Sequence, residues 1–109
     1  MAKNAAYVRG RRFEYARRKF YREAGCACVR SAGSHGPWDL CAVAPDGTVF
    51  FEQCKVTQSE ATVARLGALF YEKPFLPKSC AYRQILAILC NSNVTAYAVF
   101  GESGGTDRL

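Results

Sequence analysis

One histidine, His35, stands in the whole chain, and although there are six cysteines, no two of them form a CxxC pair. Without paired thiols at ligand spacing or a second imidazole, the sequence argues against a structural zinc site. Cys26, Cys28, Cys41, Cys54, Cys80 and Cys90 fall within or beside apolar runs. They read as buried free thiols that act as small apolar side chains, as expected in a reducing compartment. Long apolar runs are also missing: none approaches the roughly 18 residues of a membrane span, and the charged N-terminal stretch lacks the apolar segment of a secretory signal. The expectation is a cytoplasmic protein. No internal repeat and no linker divides the 109 residues, so residues 1–100 read as a single domain and the glycine-rich stretch 101–109 as a loose tail. Half of the residues are apolar, a globular composition.

Acidic residues are scarce at one end. Residues 1–30 hold nine Lys or Arg against Glu14 and Glu23 alone, while the rest of the chain nets to minus one. Such asymmetry suits a polyanionic partner, because clustered cations release counterions from a phosphate backbone on binding. A solvated helix face would give the same count, so charge alone leaves the two readings level.

Residues 4–24 carry Phe13, Ala16, Phe20 and Ala24 at helical spacing, with Tyr7 one step back, and Gly25 as a stop. Arginines fill most other positions. Glu14 is the odd residue: it could pair with Arg17 or Arg18 one turn on, or face inward. Residues 26–31 read as a first strand, 32–37 as a glycine-serine loop, 39–43 as a second strand and 48–56 as a third. Pro45-Asp46-Gly47 between the last two is a turn signal, because proline presets φ and glycine accepts positive φ. The hairpin it closes brings Asp39 toward Lys55.

Thr57-Gln58-Ser59-Glu60 fits a capping box, and Val63, Leu66, Leu69 and Phe70 supply an apolar helix face to about residue 72. Residues 83–90 and 94–100, joined by Asn91-Ser92-Asn93, read as a hairpin, with a helix over 79–90 as the competing assignment. The order is helix, three strands, helix, two strands: an α/β fold in which helices flank a mixed sheet.

The polar residues of this sheet sit where packing alone would not put them. Asp39 heads one apolar run, and Glu52, Gln53 and Lys55 end another. Strand alternation places Gln53 and Lys55 on one face and Glu52 and Cys54 on the other. A hard divalent cation needs only two or three protein oxygens, so Asp39, the Gln53 amide oxygen and Glu14 would suffice, with Lys55 beside the substrate. Singly, an aspartate before a strand is a turn residue and a lysine at a strand end is a solvated charge. Their occurrence together, in one order behind a basic helix, favours a site.

In these residues the chain resembles the PD-(D/E)xK nuclease superfamily. The Phe13-Glu14 pair, then VRSAGSHGPWDL and FFEQCK, are similar to the archaeal-type Holliday junction resolvases and their phage-encoded relatives, over residues 10–56. The resemblance implies a restriction-endonuclease-like, nuclease domain and a magnesium-dependent endonuclease, with manganese as an alternative metal. Its host would be a bacterial, archaeal or phage-infected cell. Glu14, Asp39 and Gln53 would hold the metal, Lys55 would be the catalytic lysine, and Ser34 would approach the scissile phosphate. Arg30 would contact the DNA backbone, alongside Arg9, Arg11, Arg12, Arg17, Arg18 and His35. The partner implied is a four-way DNA junction, and two matched nicks in it call for a homodimer. Two positions depart from the pattern: Trp38 replaces the proline before the aspartate, and Gln53 replaces an acid. Glu52 could serve instead of Gln53 if a β-bulge turned it inward. Related nucleases of flaps, mismatches or restriction sites, and a branched-DNA-binding module without catalysis, are the alternatives.

Overall fold

A computed structural model describes residues 5–31 and 36–101. Helix α1 (Ala5–Glu23) leads into strands β1 (Ala27–Arg30), β2 (Leu40–Val43) and β3 (Val49–Thr57). Helix α2 (Glu60–Glu72) then crosses over to β4 (Arg83–Cys90) and β5 (Asn93–Phe100). The five strands form one sheet in chain order, in which β3 and β4 run parallel and every other neighbouring pair is antiparallel. This is the mixed, helix-flanked α/β sheet that the hydrophobic pattern implied. Both hairpins are present, and residues 83–90 are a strand.

Alternation along the strands gives the sheet two cores. On one face, Cys28, Leu40, Ala42, Phe50 and Cys54 pack with Tyr21 of α1. On the other, Leu86, Ile88, Cys90 and Val99 pack with Val63 and Phe70 of α2. Gly67 lets α2 lie close to the sheet, since a Cβ there would collide with the Tyr97 ring. The β2–β3 turn closes as its residues require: the Gly47 N–H donates to the Ala44 carbonyl at 2.9 Å, and Gly47 has φ of 90°. The Asp46 carboxylate accepts the Thr48 N–H at 2.9 Å. In the β4–β5 hairpin Cys90 pairs directly with Asn93. The turn is therefore Asn91-Ser92, with Asn91 at φ of 57°, and Asn93 belongs to the strand.

Four local expectations change. Ser59, not Thr57, caps α2: its side chain accepts the Thr62 N–H at 3.2 Å, while Thr57 ends β3. Cys80 is exposed in the segment before β4, so the thiols are free but not all buried. Phe20 and Tyr7 are 53% and 54% exposed, and beside the expected Phe13 helix α1 buries Tyr21. The inward face of α1 is thus turned from the apolar stripe toward Arg17, because a charge in the sheet demands a partner. That charge is Glu52, fully buried.

Candidate active site

Asp39 is fixed by the backbone of both neighbouring strands. Its carbonyl accepts the Ser31 N–H at 2.8 Å and its own N–H donates to the Glu52 carbonyl at 2.8 Å. The last β2–β3 register pair is Leu40 with Glu52. One step beyond it, the Asp39 carboxylate accepts the Cys54 N–H at 2.8 Å. A side chain therefore completes the ladder where the strand ends, and the carboxylate is oriented without a catalytic partner. Trp38 supports the approach to this corner, with its ring 4.8 Å from that of Phe51, which in turn meets Tyr82 edge-on at 5.4 Å. An aromatic at 38 thus packs where the resemblance led one to expect a proline.

Glu14 arrives from α1. It pairs with neither Arg17 nor Arg18: its Oε1 accepts from Arg30 Nη1 of β1 at 3.0 Å. Burial pushes the Glu14 carboxyl above its ordinary pKa, and the charge of Asp39 pushes it the same way, with Arg30 opposing both. Two carboxylates from distant parts of the chain are therefore close enough to repel each other. That is the electrostatic setting in which a cation is welcome.

Gln53 sits between the two β3 groups that hold Asp39, and its Nε2 donates to the Pro37 carbonyl at 3.2 Å. With Lys55 it lines a cleft against Leu66, Leu69 and Phe70 of α2. Lys55 is exposed and has no hydrogen bond or ion pair among the described residues. Asp39 and Glu14 are thus brought together, and Gln53 and Lys55 follow on the α2 face of the adjacent strand. Ser34 and His35 lie outside the described residues, as do the residues after 101.

Two expectations are overturned. Glu52 cannot substitute for Gln53, because β3 keeps an unbroken register with both β2 and β4, with Glu52 opposite Leu40 and Ile85. There is no bulge to turn it. Its carboxylate faces α1, where Arg17 grips it with two hydrogen bonds of 2.8 and 2.9 Å. The Tyr21 hydroxyl donates to it at 2.6 Å and the Cys54 thiol at 3.3 Å. Arg17 consequently is not an open DNA contact. Burial works against its charge, but the bonds and charge of Glu52 prevail and hold its pKa above the ordinary value. Burial first, and then the Glu52 charge, push the Tyr21 phenol and the Cys54 thiol up, so neither ionises near neutrality.

Arg9, Arg11, Arg12 and Arg18 remain on α1, and Arg9 and Arg12 edge an apolar groove with Phe20, Leu89 and Val94. Sequence reasoning missed Tyr15. Its ring lies under the guanidinium groups of Arg18 at 4.9 Å and Arg30 at 4.8 Å. The spacing Tyr7, Arg11, Tyr15, Arg18, which repeats on one helix face, was the available signal. It was hidden by a count that treated the arginines as an undifferentiated charge.

The oxygen-only donor set of Glu14, Asp39 and the Gln53 amide fits a hard divalent cation. Among the described residues no three His, Cys, Asp or Glu side chains converge.

The sequence matches no protein-family model, and no curated protein matches at a significant level. A solved structure does: Hjc of Archaeoglobus fulgidus, a Holliday junction resolvase from an archaeal hyperthermophile, superposes with a TM-score of 0.52 at 20% identity. The similarity covers 82% of this chain and 71% of that one. The class defined is a fold, a five-stranded mixed sheet between two helices, and this chain shares it with that resolvase. Among the described residues no helix is long and apolar enough to cross a membrane.

Proposed function

We propose that this chain is a metal-dependent DNA endonuclease that resolves four-way junctions by phosphodiester hydrolysis. One observation carries the reading: a backbone-anchored Asp39 beside Glu14, at the end of the β2–β3 hairpin, in a fold shared with a Holliday junction resolvase. Glu14, Asp39 and the Gln53 amide oxygen are the residues that would hold magnesium, or manganese in its place. A bound cation would supply Lewis acidity to a phosphate oxygen. Lys55, exposed on the same strand as Gln53, offers an ammonium to orient the attacking water or to stabilise the negative charge gained in the transition state. Arg9, Arg11, Arg12 and Arg18 supply contacts to the backbone of a branched DNA, where shape and charge matter more than base identity.

A junction is pseudo-symmetric and one small domain offers one site, so the working species is a homodimer. Of the surfaces that could pair two copies, the C-terminal hairpin is the better supported. Strand β5 ends the sheet, and Val94 and Phe100 on it are 49% and 55% exposed. The amide at Gln53 favours a second reading, a branched-DNA-binding module that has lost its metal.

Incubating the chain with a four-way junction, a flap and a linear duplex, with magnesium, manganese or a chelator, separates these readings. Paired nicks in the junction that need the metal are expected. Asp39→Asn should abolish them and leave junction binding intact. Binding that persists in chelator, with no nicking under either metal, would establish the non-catalytic module instead.

A further inference from the structure

We infer that Arg11, Arg18 and Arg30, gathered around Tyr15, form a receptor for one backbone phosphate of the nucleic-acid strand, flanking the Glu14–Asp39 pair. The inference deepens the proposed nuclease reading, which supplies the strand. The grouping itself rests on geometry.

The arginines of α1 are not alike. Arg17 is committed to Glu52, and Arg22 donates twice to the Cys28 carbonyl at 3.1 and 2.9 Å, so both hold the helix to the sheet. Arg11 and Arg18 have no such duty. Arg18 lies 4.9 Å over the Tyr15 ring, and Arg30 reaches the same ring from β1 at 4.8 Å. Arg11 donates to the Tyr7 hydroxyl at 3.3 Å and lines a surface cleft together with Tyr15, one turn further along the helix. Three guanidinium groups thus meet at one tyrosine that is 39% exposed.

Their charges are not balanced. Glu14 pairs with Arg30, and no other carboxylate among the described residues pairs with Arg11 or Arg18. An aromatic face softens the repulsion between cations stacked on it but cannot neutralise them. Planar guanidinium forks match phosphate oxygens and bind them in pairs, whereas a lone surface lysine acts as a point charge. Location narrows the ligand further. Arg30 touches both Glu14 and Tyr15, so an anion held at Tyr15 lies one side chain away from the carboxylates that would surround the cut. A phosphodiester neighbouring the scissile one meets both conditions. Tyr15 holds the forks in place and offers its hydroxyl to the same oxygens.

Binding of the full chain to a four-way junction in chelator, measured across a salt series, tests this. Lys19→Ala is the control: it removes one charge from the next helix position, on a residue whose partner is Glu23 at 4.0 Å. Arg18→Ala should lower the salt slope by about one unit and weaken binding several-fold more than Lys19→Ala. Tyr15→Ala, which removes no charge, should also weaken binding beyond the control. Junctions carrying a single neutral methylphosphonate should reveal one position at which wild type loses affinity and Arg18→Ala loses nothing further. Thermal unfolding of each variant checks that it folds, and the methylphosphonate result stands even if Tyr15→Ala does not.

Equal behaviour of Arg18→Ala and Lys19→Ala, or additive losses at every methylphosphonate, overturns the receptor. If wild type nicks junctions while that happens, the nuclease reading survives without it. If the predicted coupling appears but no metal supports nicking, the receptor stands and the nuclease reading falls. A wild-type chain that binds no DNA sinks both.

Discussion

Glu52 and Arg17 should be strongly coupled in stability. Glu52→Leu places an apolar side chain between Leu40 and Ile85, its register partners, but it leaves the Arg17 guanidinium and the Tyr21 hydroxyl without their acceptor. Removing one partner of a buried ion pair costs about 3–5 kcal/mol. The Arg17 side chain keeps 12% exposure against 1% for Glu52, so a stranded Arg17 can reach water more easily than a stranded Glu52. Glu52→Leu is therefore expected near the lower figure and Arg17→Met near the upper one. The double variant removes both charges and should fall within about 1 kcal/mol of wild type, as isosteric apolar replacements of buried pairs do. Urea unfolding followed by circular dichroism gives the three free energies and closes the cycle. For a chain of this size each kcal/mol shifts the melting temperature by about 4–8 °C, so the single variants would be plainly apparent in a thermal scan. Additive losses in the double variant would refute the reasoning. Junction binding by the double variant should keep the wild-type salt slope, because Arg17 faces the sheet and not the backbone of a ligand.

Gln53→Glu adds a third carboxylate to the donor set and should lower the metal concentration needed for nicking by about tenfold, since ligand charge tunes cation affinity; a metal titration of nicking rate checks this, and loss of nicking would remove Gln53 from the site. Glu14 should titrate above its ordinary value of 4.5, as carbon-detected NMR of its carboxyl would show, and Asp39→Asn should bring the midpoint down by removing a like charge. The sign for stability follows: in the window between 4.5 and the raised pKa the folded chain binds more protons at Glu14 than the unfolded chain. This group's contribution is therefore greatest at low pH and declines as pH rises through that window. A flat or opposite contribution, obtained by comparing Glu14→Gln with wild type, would contradict the geometry.

The sheet was legible because its signals are local. Pro45-Asp46-Gly47 and Asn91-Ser92 mark turns whether or not anything else is known, and the alternation around them sets which residues share a face. The shared face of Gln53 and Lys55 followed from that alternation, and the approach of Asp39 to the end of β3 followed from the turn. What was not legible is which side chains of α1 face inward. An amphipathic reading gives the inward face to the apolar stripe, and would bury Phe20 and Ala16. It fails here because Glu52 lies in the same layer as Leu40 and Ile85, and a carboxylate there must find a cation. The identity of that cation depends on a contact across 35 positions of chain, which no spacing within the helix reveals. The Glu14–Arg30 pair was invisible for the same reason, being formed between a helix and a strand 16 residues later.

These two ion pairs make α1 the element on which the site depends. Glu14 and Arg17 stand three positions apart, on one helix face, yet they are bound to different strands: Glu14 to Arg30 of β1 and Arg17 to Glu52 of β3. Strand β2, which Asp39 directly precedes, runs between those two. The helix is thus tied on both sides of the strand that presents the aspartate, and the closeness of Glu14 to Asp39 follows from two attachments instead of one. Loss of Arg17 would leave Glu14 tied only through Arg30, an arginine that Tyr15 also engages. Residues 11, 15 and 18 lie together on another part of the same helix, where the strand residue that reaches them, Arg30, is itself a cation. One helix can therefore place a carboxylate near Asp39 and still carry exposed cations, because its inward charges are already matched within the fold.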